Sequence, residues 1–325
     1  MSELLEKCTV CGALLDEEDL FCANCGTEAP HPEATALAAE TSTHVFRCNG
    51  CGASMSYDAN AQSLRCPFCG SEKLEAREDE LSVAPKYVIP AAIDRGRAET
   101  ELRRWLGSGF WRPSDLSSTA VVVKIVQVYV PFWVFRATTF TYWTADSNRT
   151  PPGARGDWFP VSGDHRGEYA GLLVGASSVL TPAEIAAIEP FDFSAAVARD
   201  AFDLDRVTYE RFMVARRYAR PTARWAIENL ERQACAKYVP GSSRNVKVNV
   251  RFEGLASDPV LLPFWILAYS YKGTTHRFLM NGQTGRSTGT APISNLKIAA
   301  AIGIGLAVVA GLLACAGAFA GLAAL

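Results

Sequence analysis

Hydrophobic positions follow three different patterns along the chain. From Ile298 to Leu325 there are 28 residues without a charged or strongly polar side chain. A run of roughly 20 apolar residues, at about 1.5 Å rise each, crosses the hydrocarbon core of a bilayer, so the pattern predicts one transmembrane helix over 298–325. Through the middle of the chain the apolar residues are β-branched and aromatic. They predict strands over Ala120–Val130, Phe132–Thr144, Val246–Phe252, Val260–Tyr271 and Thr274–Met280, with a turn at Asn281-Gly282 that Gly285 continues. Helical periodicity falls on Ala98–Leu106 and Thr222–Tyr238. Between them lie a polar loop, Ala145–Asp157, and a mostly helical insertion. In the insertion Thr181-Pro182-Ala183-Glu184 reads as a capping box with Pro at the first helical position, its helix ended by Pro190, and Arg206–Tyr218 reads as a second helix.

This middle region contains an internal echo. Lys86-Tyr87-Val88-Ile89-Pro90 is matched 131 positions later by Arg217-Tyr218-Ala219-Arg220-Pro221, and Val130-Pro131-Phe132-Trp133 is matched 132 positions later by Leu262-Pro263-Phe264-Trp265. In each half a helix precedes the strand that carries P-F-W. The order predicts an α+β body made of a duplicated unit, one helix on a short antiparallel sheet, with the P-F-W rings in the sheet core.

The third pattern is polar and cysteine-punctuated. Cys8, Cys11, Cys22 and Cys25 form two C-x-x-C pairs ten residues apart; Cys48, Cys51, Cys66 and Cys69 repeat the plan with fourteen residues between. Each pair is followed by glycine (Gly12, Gly26, Gly52, Gly70), which supplies the tight turn that aims backbone amides at cysteine sulfurs. Four thiolates at this spacing close a tetrahedral Zn2+ shell, so two structural zinc ions are expected as the only cofactors. Neither segment is long enough for a core of its own, and metal binding should supply most of its folding energy. His31 and His44 border the linker between the units and read as solvated loop residues, Cys235 as a core residue, Cys315 as apolar filler in the anchor, and His276 as a solvent-facing strand residue. The expected organisation is zinc ribbon 1 over 1–27, a flexible linker over 28–43, zinc ribbon 2 over 44–72, a charged connector over 73–85, body half 1 with its insertion over 86–216, body half 2 over 217–297, and the anchor over 298–325. With flexible connectors on both sides, the ribbons are expected to move independently.

Charge narrows the partners. The net charge is −2, and residues 1–33 carry eight acidic side chains against Lys7 alone, which a phosphate backbone would repel. Ribbon 2 is nearly balanced, which leaves open a single-strand platform built on Phe46, Tyr57 or Phe68; protein is the favoured class of partner. Met1–Lys7 lacks the features of a secretory signal, so the body is placed in the cytoplasm, where C-x-x-C pairs hold metal. The densest polar group in the body, Asp157, Asp164, His165 and Glu168, can be drawn as an acid/base or metal site, or as a glycine-rich hairpin loop with solvated charges. No nucleophile elbow, H-E-x-x-H or dinucleotide loop accompanies it, so no catalytic residue is assigned.

Tyr129-Val130-Pro131-Phe132-Trp133, Leu261 to Tyr271, Phe278 to Met280, Asn281-Gly282-Gln283-Thr284-Gly285 and Pro292-Ile293-Ser294 before Lys297 resemble a bacterial family of membrane proteins that carry a transcription-factor-type zinc ribbon. Members are sometimes labelled primosomal or helicase-like. No G-x-x-x-x-G-K-[ST] phosphate loop occurs in this chain, so a helicase activity is not expected. The resemblance implies partners of the flotillin-like scaffold or envelope-stress type. The expectation is a single-pass protein of the inner membrane, its body cytoplasmic, acting as an adaptor that recruits a protein partner. The alternative is a membrane-tethered nucleic-acid-binding protein, and after it a hydrolase or ligand sensor. Gly317 and Gly321 stand in G-x-x-x-G register, a basis for self-association of the anchor.

Overall fold

The computed structural model describes residues 7–15, 21–22, 24–29, 39–40, 45–57, 65–77, 82–177 and 179–322, without side chains at 39–40, 77, 82 and 312–322. In chain order its elements are strands β1 (Ala39–Glu40), β2 (Val45–Cys48), β3 (Ser54–Ser56), β4 (Leu74–Arg77), β5 (Ser82–Val83) and β6 (Tyr87–Val88); helices α1 (Arg95–Gly107) and α2 (Leu116–Thr119); β7 (Val121–Ser147), β8 (Phe159–Gly175), α3 (Pro182–Ile188), β9 (Val197–Ala198), β10 (Tyr209–Glu210), α4 (Arg216–Ala236), β11 (Ser243–Tyr271), β12 (Thr274–Asn281), β13 (Ser287–Gly289) and α5 (Asn295–Leu322). The main sheet runs β13-β12-β11-β7-β10-β3-β2-β4, with β8 on β7 and β6 on β11.

Its spine is the antiparallel pair β7/β11, 27 and 29 residues long. The expectation of shorter strands, broken at Pro131 in one half and over 253–259 in the other, is corrected here. The carbonyl of Pro131 faces β8 and accepts from Ala176, just beyond the Phe132/Gly175 pair where β8 ends; the carbonyl of Pro263 faces β12 and accepts from Gly282, just beyond the Phe264/Asn281 pair. Within a strand, N–H and C=O of one residue point to the same side. Each proline therefore lacks its donor only where the flanking strand has stopped, and the β7/β11 ladder passes through intact.

The P-F-W echo therefore has one structural meaning in both halves. Phe132 and Phe264 stack across the pair, ring centroids 5.8 Å apart, and each tryptophan donates to a backbone carbonyl, Trp133 to Val214 and Trp265 to Ile93. All four rings are buried. Helix, long strand and second strand recur as α1-β7-β8 and α4-β11-β12, and both halves share one sheet. The other part of the echo does not hold: Tyr87 and Val88 pair parallel with β11, whereas Arg217–Pro221 lies inside α4.

Three more expectations change. The first predicted helix is α1, and the capping box at Thr181 is present on α3, but Arg206–Tyr218 is mostly extended, and α4 starts at Arg216 and runs through Pro221. The segment after the polar loop is a 17-residue strand, β8, hidden from the hydrophobic pattern because its inward positions include Gly163 and Gly167. The charged connector contains β4, which pairs with β2.

Ribbon 2 is not an independent unit. β3 pairs with β10, β10 pairs with β7 at Tyr129, and the Arg211 amide donates to the Ser54 carbonyl. Met55, Tyr57 and Phe68 share a buried cluster with Ile89, Val128, Val130, Leu262 and Phe264. The described part of ribbon 1 touches the body as well, Arg220 donating to the Leu14 carbonyl at 3.0 Å. Most of the 28–43 linker, with His31, and the bordering His44 lie outside the described residues.

The N-G-Q-T-G turn ties these layers together. Buried Asn281 donates to the carbonyls of Ile188 and Pro190 and accepts from the amides of Gln283 and Thr284. Gln283 brackets Asp192, accepting from its amide and donating to its carbonyl, and the Gly282 carbonyl accepts from Ala92 and Ile93. One turn thus holds β11, β12, the insertion and the lead-in to α1.

α5 leaves the body with exposed apolar side chains, among them Ile302, Ile304, Leu306, Val308 and Val309. Among the described residues, whose side chains in α5 end at Gly311, no helix is long and apolar enough to cross a membrane.

Asn281→Ala removes four hydrogen bonds in a dry site, and unpaired buried groups cost about 1–3 kcal/mol each, so a thermal melt should show a loss on the order of 3 kcal/mol. Gln283→Ala, whose contacts to Asp192 are exposed, should cost under about 1.5 kcal/mol.

Candidate metal centres and a buried polar cluster

Both cysteine quartets close as predicted. In ribbon 1, Cys8 and Cys25 sulfurs are 3.6 Å apart and those of Cys11 and Cys22 3.5 Å; in ribbon 2, Cys48–Cys69 and Cys51–Cys66 are each 3.5 Å. Within each quartet all sulfurs lie within 4.8 Å of one another. A tetrahedral ion with Zn–S of about 2.3 Å requires sulfurs about 3.8 Å apart, so the two groups are positioned to hold metal ions, consistent with two structural zinc ions.

The same local hydrogen bonds build all four knuckles. The glycine amide after each pair donates to the carbonyl of the first cysteine (Gly12 to Cys8, Gly26 to Cys22, Gly52 to Cys48, Gly70 to Cys66), and that cysteine's amide donates to a carbonyl five residues on. The glycines take φ between +70° and +80° with no neighbour close enough to obstruct a Cβ, so backbone conformation rather than space requires glycine there. The knuckle polarises the ligands. Hydrogen bonding from Cys51 first, then the amides of Cys69 and Phe68, bring the Cys66 thiol down to about 5 against the effect of burial. The Thr27 hydroxyl and amide bring Cys25 down to about 6. Thiolate, the ligating form, is favoured at both positions, while the Cys66 sulfur, then burial, push Cys51 up, and at Cys22 the Cys25 and Asn24 amides are outweighed by burial and the Cys11 sulfur.

The polar group drawn around β8 is divided by strand alternation. Asp164 and Glu168 are exposed on one face and Asp157 lies exposed before the strand, whereas His165 faces α4 between Gly163 and Gly167. Its partner is Glu231, which the sequence reading did not select. The His165 Nδ1 to Glu231 Oε2 distance is 2.8 Å, and Glu231 Oε1 accepts from Thr139 (2.5 Å) and Tyr169 (2.8 Å). An ionised carboxylate only accepts, so the imidazole proton sits on Nδ1. Gly167 is required here because a Cβ would run into the Glu231 carboxylate. Burial pushes the Glu231 carboxyl up, but the Thr139, His165 and Tyr169 donors outweigh it and hold the group below its ordinary value. Cys235, one helical turn on, is fully buried, and burial, then the Glu231 charge, raise its thiol to about 11. His165, Glu231 and Cys235 lie close enough to share an ion, but the carboxylate already has donors on both oxygens. His276 is half-buried and stacked on Tyr269 at 5.2 Å, rather than facing solvent.

A cavity of ≈ 490 Å³ opens on the opposite face of the sheet. Its apolar walls include Tyr87, Val134, Phe193 and Val260, and at its edge buried Asp258 accepts from Lys86 (2.9 Å) and Arg136 (2.5 Å). Arg136 stands opposite a β-bulge where β8 inserts Ala170-Gly171, with Gly171 at φ +76°.

The chain is similar to an uncharacterized protein, YdjG, of Bacillus subtilis (strain 168), with 27% identity over an alignment 313 positions long; the match covers 78% of this chain and 92% of the relative. No family profile and no solved structure matches it.

Metal analysis of the purified chain should give two zinc ions. Cys51→Ser with Cys66→Ser should leave one and lower the melting temperature of the whole body, because Met55, Tyr57 and Phe68 belong to its largest core cluster. The polar cluster predicts a pH dependence. The folded carboxyl of Glu231 lies below its unfolded value, so its stabilisation is complete above the unfolded value of about 4.5 and disappears as pH falls through the folded one. Glu231→Gln should destabilise the protein at neutral pH by about 2 kcal/mol and flatten the acid side of a melting-temperature-against-pH profile.

Proposed function

We propose that the protein is a membrane-anchored zinc-ribbon adaptor: residues 298–325 span the bilayer, the body lies on its cytoplasmic side, and the docked ribbons present a face to a protein partner. The observation that carries the reading is α5. The exposed apolar residues between Ile298 and Val309 surround the helix, and a helix apolar on all sides is stable only inside a core or a membrane. It makes no core contact with the body among the described residues, and the apolar sequence continues to Leu325.

The docking of ribbon 2 favours a protein partner over nucleic acid. Tyr57 and Phe68, two of the three rings that could stack on bases, are buried against the body. Ribbon 1 instead turns Val10 and Phe21 outward, apolar positions on an acidic unit. The buried Glu231 cluster supports a structural role for His165 in place of acid/base chemistry. A second reading, a ligand sensor, is favoured by the cavity beside Arg136, whose size and apolar walls suit a small molecule.

Crosslinking pull-down of the full chain from membranes tests the adaptor. A partner recovered with the wild type and lost with Val10→Asp/Phe21→Asp, at unchanged zinc content, is the expected result. Salt-dependent oligonucleotide binding without a protein partner would replace the adaptor with the nucleic-acid reading.

A further inference from the structure

Where α5 leaves the body, the loop Gly109–Pro113 is fastened to its start. The Ser294 amide donates to the Trp111 carbonyl at 2.8 Å, and Lys297 Nζ donates to the Arg112 carbonyl at 2.8 Å while lying 6.0 Å from the Phe110 ring. Two large rings at the tip of this loop face solvent: Phe110 is 73% exposed and Trp111 47%, packed edge-to-face at 5.0 Å. Ile293 and Leu296, on either side of Ser294, are exposed as well, Leu296 to 81%. The Arg112 guanidinium covers the Trp105 ring at 3.7 Å, so the loop is held from the body side by a cation and from the helix side by two hydrogen bonds.

Such a patch would be an odd feature of a surface meant for water. Its composition is that of a membrane interface: large aromatic rings turned outward, with Lys297 beside them, at the level where an apolar helix begins. We infer that Phe110 and Trp111 form a second membrane contact, inserted at the headgroup–acyl boundary beside α5. One helix fixes the body's distance from the bilayer but leaves it free to rotate and tilt; a second contact beside the helix fixes its orientation, and with it the direction in which the ribbons face. The inference rests on the reading of residues 298–325 as a membrane helix. A protein groove could also cover two aromatic rings, but the lipid boundary is the surface that continues directly from the apolar face of α5.

The full chain, reconstituted in phosphatidylcholine vesicles with ordinary or brominated acyl chains, tests this by tryptophan emission. Subtracting the emission of Trp111→Phe, a substitution that preserves an apolar ring, isolates the Trp111 contribution, and co-flotation after an alkaline wash reports anchoring independently. The expected result is co-flotation together with a fall of about half in the Trp111 contribution when the chains are brominated, since interfacial groups sit about 5–10 Å into the boundary. Co-flotation with a contribution quenched by aqueous acrylamide and untouched by bromine places the ring in water and overturns the inference while the anchor stands. Quenching by neither means that protein covers the ring, and overturns it equally. Failure to co-float removes the anchor reading itself and this inference with it.

Discussion

The antiparallel pairing of β7 with β11 is the constraint on which the remaining structure depends. Strands this long are buried on both faces only in the middle, where Val128–Val134 opposes Asp258–Phe264, and there each face needs its own cover. α1 and the Trp265–Tyr271 end supply one packed cluster, α4 with Trp133 and Phe135 another, and ribbon 2 with α3 a third. Outside the centre the strands return to alternation, with polar residues on one side. The prolines of the two P-F-W segments mark the changeover: each sits where a flanking strand stops, so the same residue that ends one pairing leaves the central ladder unbroken.

From this follows the altered role of the zinc ribbons. A free ribbon needs metal only for itself, whereas ribbon 2 contributes β3 to the sheet and Met55, Tyr57 and Phe68 to the central cluster. Because the free energy of metal binding is folding free energy for such a unit, an ion held by the Cys48–Cys69 quartet would be thermodynamically linked to one edge of the body sheet. Two ribbons on tethers would search for a partner; ribbons seated on a body offer a preformed surface with less ordering entropy to lose on binding.

Much of this was legible in the sequence where chemistry is local. The closing of the two cysteine quartets, the positive-φ glycines and the Thr181 capping box depend on a few neighbouring residues, and these stand as read. The P-F-W echo was legible too, though its meaning, the end of a flanking strand, was not. What stayed hidden depends on distant partners. β8 carries charges outward and glycines inward, a pattern that reads as loop until Trp143 and Glu231 are placed against Gly163 and Gly167. Glu231, one more acidic residue on a polar helix, gains its importance only from Thr139, Tyr169 and His165 on two strands. The docking of ribbon 2 passes through the two-residue strand β10, too short for any periodicity to reveal, which also turned the predicted helix over Arg206–Tyr218 into extended chain.

The sites in the body divide by whether their polar groups are already satisfied. Asn281 and Glu231 are buried and saturated: every strong donor or acceptor they offer is used within the chain, and such networks fix one arrangement of the surrounding layers. Neither has capacity left for a substrate without breaking what holds the fold. Uncovered apolar surface lies at the periphery, in the side chains of Val10 and Phe21 on one unit, the rings of Phe110 and Trp111 beside α5, and the apolar walls of the cavity. Two buried polar sites saturated within the chain, set beside apolar side chains turned outward, are the division that supports the proposed recruitment reading over a catalytic one.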